Sequence, residues 1–236
     1  MAPRTMPTRK SVYILPNLLT TASLFIGFLC ILWSVEGRFE WCALAILSSC
    51  LFDGLDGKVA RLTGATSEFG VQLDSLADLV AFGVAPALTL YFWQLHQFNR
   101  LGLMACFLFI ACAALRLARF NVQAKVADKK FFTGLPVPAA ACTMASIILF
   151  SPYVPEALAN GHMSWFLLGL TYILSFLMVS TVRFASFKEF GLVKAHPFST
   201  MVTVILLFVL VASRPRVLGF VFFMGYLISG PVFTLF

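Results

Sequence analysis

A chain of 236 residues with 60% hydrophobic and 11% charged residues and a mean hydropathy of +0.92 is too apolar for a water-soluble domain, in which about a quarter of the residues are charged. The net charge of +7 does not point to nucleic acid, because the basic residues sort by membrane side and meet anionic lipid headgroups instead. What remains is a polytopic membrane protein.

Apolar segments long enough to cross a hydrocarbon core of about 30 Å recur along the chain. Eight are expected: Leu18 to Val35, Trp41 to Ala60, Gly70 to Trp93, Leu101 to Phe120, Val137 to Tyr153, Trp165 to Val182, Phe198 to Ala212 and Val217 to Phe236. The first follows a basic start, as a signal peptide does, but it runs on without a small-x-small cleavage site and is read as a span. Backbone polar groups in a bilayer must be satisfied internally, and no segment alternates like a barrel strand, so the fold class is all-α. One helical bundle over residues 1–236 is expected, since the polar breaks at Gln123 to Lys130 and Arg183 to His196 are too short to fold separately.

In this eight-span arrangement thirteen of the seventeen Lys and Arg residues fall on one side, and only Arg38, Arg100, Arg214 and Arg216 on the other. The positive-inside rule then puts both termini in the cytoplasm. The six cysteines form no CxxC pair and read as small buried hydrophobes.

The second and third spans carry four aspartates, Asp53, Asp56, Asp74 and Asp78. Carboxylates are costly in a membrane and face the bundle interior. At a rise of 1.5 Å per residue, Asp56 lies roughly 7 Å and Asp53 roughly 12 Å from the cytoplasmic end of span two; Asp74 and Asp78 lie roughly 6 and 12 Å into span three. The depths match, Asp56 beside Asp74 and Asp53 beside Asp78, and spacings of three and four put each pair on one helix face. Four such charges repel, so protonation or cations must neutralise them. Lys58 and Arg61 are the only bases close in sequence. Two divalent ions fit the deficit, and an all-oxygen donor set favours Mg²⁺ or Mn²⁺ over zinc. Gly54, Gly57 and Gly70 allow close approach, and Arg61 can reach a phosphate bidentately. Metal ions with an arginine at headgroup depth point to phosphoryl transfer on a lipid-linked diphosphate. On spacing alone, the ion path of a cation- or proton-coupled transporter is the alternative.

Written out, the stretch is Asp53-x2-Asp56-Gly57-x2-Ala60-Arg61-x8-Gly70-x3-Asp74-x3-Asp78, which resembles the signature of the CDP-alcohol phosphatidyltransferase family. LPNLLT at Leu15 to Thr20, RLARFNV at Arg116 to Val122, FFTGLPVPAAA at Phe131 to Ala141 and SGP at Ser229 to Pro231 resemble the bacterial membrane-embedded members that act on serine. The resemblance implies a six-helix core that binds CDP-diacylglycerol and two divalent ions, a homodimer, and a place in the bacterial inner membrane with the site on the cytoplasmic side. It implies that Asp53 and Asp74 bridge both ions, that Asp56 completes one and Asp78 the other, and that Asp78 is also the general base. It further implies that Gly57, Arg61 and Ser67 contact the nucleotide diphosphate beside the signature residues Ala60 and Gly70, with Asn17 toward the cytidine. The implied reaction passes the phosphatidyl group to the hydroxyl of L-serine and releases CMP; glycerol 3-phosphate or inositol is the alternative acceptor within the family.

A serine site needs a cation for the carboxylate and acceptors for the ammonium. Arg116, Arg119, Asn121, Lys130 and Thr133, at and beyond the cytoplasmic end of span four, are the candidates. The two arginines read equally as interfacial anchors snorkelling to the headgroups. The two prolines of Gly134 to Pro138 stiffen the entry to span five.

Overall fold

The computed structural model describes residues 14–63, 67–123, 131–155, 162–185 and 214–235. In chain order these form α1 (Ile14–Val35), α2 (Phe39–Thr63), α3 (Glu68–Asp78), a π-helical segment (Leu79–Val84), α4 (Ala85–Trp93), α5 (Arg100–Gln123), β1 (Phe131–Thr133), α6 (Val137–Phe150), α7 (His162–Val179), β2 (Arg183–Ala185) and α8 (Pro215–Leu235), with short 3-10 turns at Leu95–Phe98 and Ser151–Tyr153. The architecture is an all-α membrane bundle. Among the described residues five helical runs are long and apolar enough to cross a bilayer: Asn17–Val35, Glu68–Trp93, Arg100–Val122, His162–Val179 and Pro215–Val232. The expected second span, α2, is 25 residues long but carries the charged signature. The expected fifth is the shorter apolar run Val137–Tyr153. The expected seventh, Phe198 to Ala212, lies outside the described residues.

One departure from an all-helical reading is a short antiparallel pairing of β1 with β2, in register Phe131 with Ala185, Phe132 with Phe184 and Thr133 with Arg183. Three residues on each side are too few for an alternating pattern to stand out in sequence.

The α1 seam shows how an apolar helix is held without a hydrophobic gradient between lipid and protein. Thr20, Ser23, Gly27, Cys30 and Ser34, spaced three and four apart, are all buried; small side chains on one stripe let backbones approach and let hydroxyls bond across helices. A Cβ on Gly27 would lie 2.8 Å from Ala81 Cα, so only glycine fits where α1 crosses the π segment. Ser23 and Ser49 share a 2.6 Å hydrogen bond between α1 and α2. Ser34 and Thr89 share one of 2.8 Å between α1 and α4. Gly37, at φ 74°, ends α1: its N–H bonds to Ser34 O at 3.2 Å and that of Arg38 to Trp33 O at 2.8 Å, the paired bonds of a left-handed glycine cap.

The two ends of the bundle differ in charge. At one end Arg216 pairs with Glu40 at 3.1 Å and Arg38 with Glu36 at 3.6 Å, and Arg38 lies over the Trp33 and Trp41 rings at 5.7 and 5.6 Å. The aspartates, Arg116 and Arg119 lie toward the other end. Helix α8 begins at the first end, near Glu40, and finishes near β2, where Gly230 meets the Phe184 ring. Residues 14 and 235 therefore lie at the same, aspartate-bearing end.

Candidate active site

Helix α3 begins on Ser67, whose extended backbone (φ −124°, ψ 152°) lets its Oγ accept from Gly70 N at 2.9 Å; this caps an otherwise unpaired N–H. From there Asp74 and Asp78 follow on one face, opposite Asp53 and Asp56 of α2. Oxygens of Asp53, Asp56 and Asp74 all lie within 4.8 Å of one another. Asp78 lies one turn deeper on the same face of α3, in electrostatic reach of Asp53, Asp74 and Asp56. Asp56 and Asp78 are buried, at 5% and 9% exposure, whereas Asp53 and Asp74 are partly open. Such a donor set of hard oxygens at short mutual distance fits divalent cations of the Mg²⁺ type. A Cβ built on Gly54 or Gly57 meets nothing within 4 Å, so the α2 backbone beside the carboxylates borders open space large enough for a ligand to approach.

The π segment starts immediately after Asp78. Pro86 sits two residues beyond its end. Having no N–H and clashing with the carbonyl four residues back, Pro86 disturbs the α-helical ladder, and the widened turn, in which Ala85 N bonds to Val80 O, absorbs the disturbance. Wide turns of this kind concentrate at functional sites.

Asn17 arrives from the first turn of α1. A Cβ on Gly70 would lie 3.1 Å from Ser67 Oγ and 3.3 Å from Asn17 Oδ1, so Asn17, Ser67 and Gly70 meet at the mouth of the aspartate group. Gly57 lies on α2 one residue past Asp56, and Ala60 and Arg61 occupy the last turns of that helix; the side chains of Ala60 and Arg61 are outside the described residues.

Of the residues expected near an acceptor, Arg116 continues the buried α5 seam of Gly102, Ala105, Cys106, Phe109, Cys112 and Ala113. It therefore faces the bundle and is not a lipid-facing anchor. Its Nη2 donates to Gly134 O over a long 3.4 Å, its Nε is buried without a hydrogen-bond partner among the described residues, and Asp78 and Tyr226 lie within electrostatic reach. Arg119 Nη1 donates to Val179 O, also at 3.4 Å, in a more exposed position. Asn121 Nδ2 donates to Ser75 Oγ at 2.9 Å, which ties the end of α5 to the helix carrying Asp74. Thr133 is placed by its backbone alone, opposite Arg183, and Lys130 lies outside the described residues. The adjoining turn is tight: Gly134 has φ 79°, and a Cβ there would sit 2.5 Å from Met178 O.

Sequence reasoning passed over Thr20. Its Oγ1 donates to Asp56 Oδ2 at 2.8 Å in a buried contact, a bond of the kind that would fix which way the carboxylate points toward a cation. The three-and-four spacing from Ser23 to Ser34 was the available signal, since extending it one step back reaches Thr20. Thr20→Val should raise by about tenfold the Mg²⁺ concentration that gives half-maximal thermal stabilisation, the usual scale for losing such a bond. An unchanged midpoint in that titration would leave Thr20 a packing residue only.

Residues 13–177 match the model of the CDP-alcohol phosphatidyltransferase family. Among curated relatives, the CDP-diacylglycerol--serine O-phosphatidyltransferase of Helicobacter pylori strain J99 is 39% identical over 219 residues, 93% of this chain and 90% of that protein. The protein of the same name from Mycobacterium leprae is 32% identical over 229 residues, 94% of this chain and 74% of its own length. The archaetidylserine synthase of Methanothermobacter thermautotrophicus is 41% identical over 145 residues, 61% of each chain.

Proposed function

The chain belongs to the CDP-alcohol phosphatidyltransferase family, and from that premise we propose that it transfers the phosphatidyl group of CDP-diacylglycerol to L-serine, giving phosphatidylserine and CMP. The observation that carries this reading is the convergence of four aspartates from α2 and α3 below a mouth lined by Asn17, Ser67 and Gly70. Relatives named for the serine reaction align over nearly the whole chain, which supports the acceptor.

Asp53, Asp56, Asp74 and Asp78 hold two divalent cations, Mg²⁺ or Mn²⁺. When bound, these ions neutralise the carboxylates and polarise the diphosphate. Asn17, Ser67, Gly57 and Gly70, with Ala60 and Arg61, receive the CDP moiety, and Arg61 fixes the diphosphate by paired hydrogen bonds. Asp78 accepts the proton of the serine hydroxyl as its oxygen attacks the phosphorus that bears the diacylglycerol; the bond from that phosphorus to the CMP oxygen breaks and CMP leaves. Arg116 receives the serine carboxylate, with Arg119, Asn121, Thr133 and Lys130 around it. The unpartnered Nε and long Nη2 contact of Arg116 support this role, because a buried guanidinium with spare donors gains most from a carboxylate.

The protein is integral to the membrane, and we read that membrane as the bacterial inner one, with the aspartate end and both termini facing the cytoplasm. The basic residues at that end support the orientation. The assembly is a homodimer, as the family resemblance implies.

The test is CMP release by the purified protein in detergent with CDP-diacylglycerol and Mg²⁺ or Mn²⁺, with serine, inositol, glycerol 3-phosphate or no acceptor supplied in parallel. Release dependent on serine and metal is the expected result; release with another acceptor would overturn the serine assignment. In the same assay Arg116→Ala should raise the serine KM by roughly ten- to a hundredfold, the range for a lost hydrogen bond to a charged group, while the KM for CDP-diacylglycerol stays put. A serine KM equal to that of the unmodified protein would remove Arg116 from the acceptor site.

A further inference from the structure

The Ser229 to Pro231 stretch near the end of α8 has no part in the site described so far, yet the structure joins it to that site through one ring. Phe184 packs against Gly230, where a Cβ would fall among the ring carbons Cδ1, Cε1 and Cζ. The Tyr226 ring lines the same wall, 5.7 Å from that of Phe184. Phe184 is the middle residue of β2, paired with Phe132 of β1, and is fully buried. Two strands of three residues do not hold together unaided, so this ring is an anchor that ties the pair to α8. Both arginines of the proposed acceptor site end on the same frame. Arg116 Nη2 donates to Gly134 O and Arg119 Nη1 to Val179 O, each at 3.4 Å. Gly134 N in turn donates to Val182 O at 2.8 Å and Leu135 N to Leu177 O at 3.0 Å. The oxygens that aim the two guanidinium groups thus belong to backbone joined to β1 and β2.

We propose that Gly230 and Phe184 are positioning residues for the acceptor: the ring seated on the glycine fixes the β1–β2 frame, and the frame holds Arg116 and Arg119 where they meet the serine carboxylate. They act through the backbone and not on the substrate. The Arg116 contact is long and its Nε is buried without a partner among the described residues, so the guanidinium depends on Gly134 O for its aim. A small misplacement of a binding group is costly in rate or affinity. The four aspartates stand on α2 and α3, away from the frame, so a shift of the frame weakens the hold on the acceptor and spares the hold on the CDP-lipid. This inference rests on the acceptor role proposed for Arg116 in the preceding section.

The experiment compares the full chain in detergent with Gly230→Ala, Phe184→Leu and the double variant, and reads two signals. One is serine-dependent CMP release; the other is amide hydrogen exchange at Gly134 and Leu135, which does not depend on activity. Gly230→Ala should raise the serine KM at least about fivefold, within the range for weakening a bond to a charged group, while kcat and the KM for CDP-diacylglycerol stay within about twofold. Exchange at the two amides should quicken at least about tenfold as the frame opens more often. Phe184→Leu should shift both signals the same way by a smaller factor, so the assignment can be read even if Gly230→Ala does not fold. In the double variant the smaller side chain admits the added methyl, and both signals should return to within about twofold of Phe184→Leu alone, the coupling of residues in contact. A serine KM equal to the parent's in both single variants, an equal rise in both Michaelis constants, or additive effects in the double variant would overturn the assignment. Absence of CMP release with every acceptor would count against the transferase reading, and unchanged exchange in both single variants would still overturn the positioning role.

Discussion

Asp78→Asn protein should bind CDP-diacylglycerol and release CMP at least about a hundredfold more slowly than the unmodified enzyme, the lower end of the range for losing a general base. Asparagine keeps one oxygen toward the site and nearly the same shape, so the substitution removes proton acceptance and one negative charge more than it removes packing. The position makes the effect large. Asp78 is buried, within electrostatic reach of Asp53 and Arg116, and placed at the junction of α3 with the π segment. The acceptor hydroxyl, held by its carboxylate at Arg116, would meet that junction. The check is paired: CMP release with saturating serine, and lipid binding followed by the thermal shift that CDP-diacylglycerol produces. A variant that still turned over at a tenth of the normal rate would move the base to another residue.

Removing the divalent ions should stop the reaction altogether, and Asp53→Asn should make that loss permanent. In unmodified protein a chelator is expected to abolish CMP release, and Mg²⁺ or Mn²⁺ to restore it. Metal should also raise the unfolding midpoint, since an ion present at a hundred times its dissociation constant stabilises the folded state by about 2.7 kcal/mol. Asp53 lies within 4.8 Å of Asp56 and Asp74 and in electrostatic reach of Asp78, so its charge is at once that of a proposed ligand and of a repelled neighbour. The metal-free Asp53→Asn protein should therefore unfold at the same temperature as the parent or higher, because one uncompensated charge has gone, while the added stability with metal shrinks and CMP release does not return. A parent protein indifferent to chelation would remove the ions from the reaction; a metal-dependent shift of full size in Asp53→Asn would remove Asp53 from the ligand set.

Much of this site was legible because membrane burial makes acidic residues conspicuous. Asp53 and Asp56 at a spacing of three, Asp74 and Asp78 at a spacing of four, and equal depths on antiparallel spans are enough to bring four carboxylates together. The bundle was legible for a similar reason, since long apolar runs admit few structures other than helices. What stayed hidden depends on contacts between elements distant in sequence. Thr20 reaches Asp56 across 36 positions, and a threonine is not unusual in an apolar span. The orientation of Arg116 was ambiguous because a basic residue near a helix end serves an anchor or a site equally well, and only its place on the buried α5 seam separates the two. The wide turn at Leu79–Val84 has no compositional mark at all, apart from Pro86 just beyond it.

That turn makes one continuous span into two helices with separate phases. In the acid-bearing half the Asp74 carboxylate is aimed at those of α2, whereas the half from Ala85 to Trp93 is set by its fit to α1 and α5. Deleting a single residue such as Val80 would return the backbone to 3.6 residues per turn and swing Asp74 and Asp78 by about 100° relative to α4. The fit of α4 against its neighbours and the aim of the carboxylates could then no longer be met together. Exchanging one apolar side chain for another at Leu79 or Val80 leaves both intact. The restraint on this stretch is on the number of its residues more than on their kind.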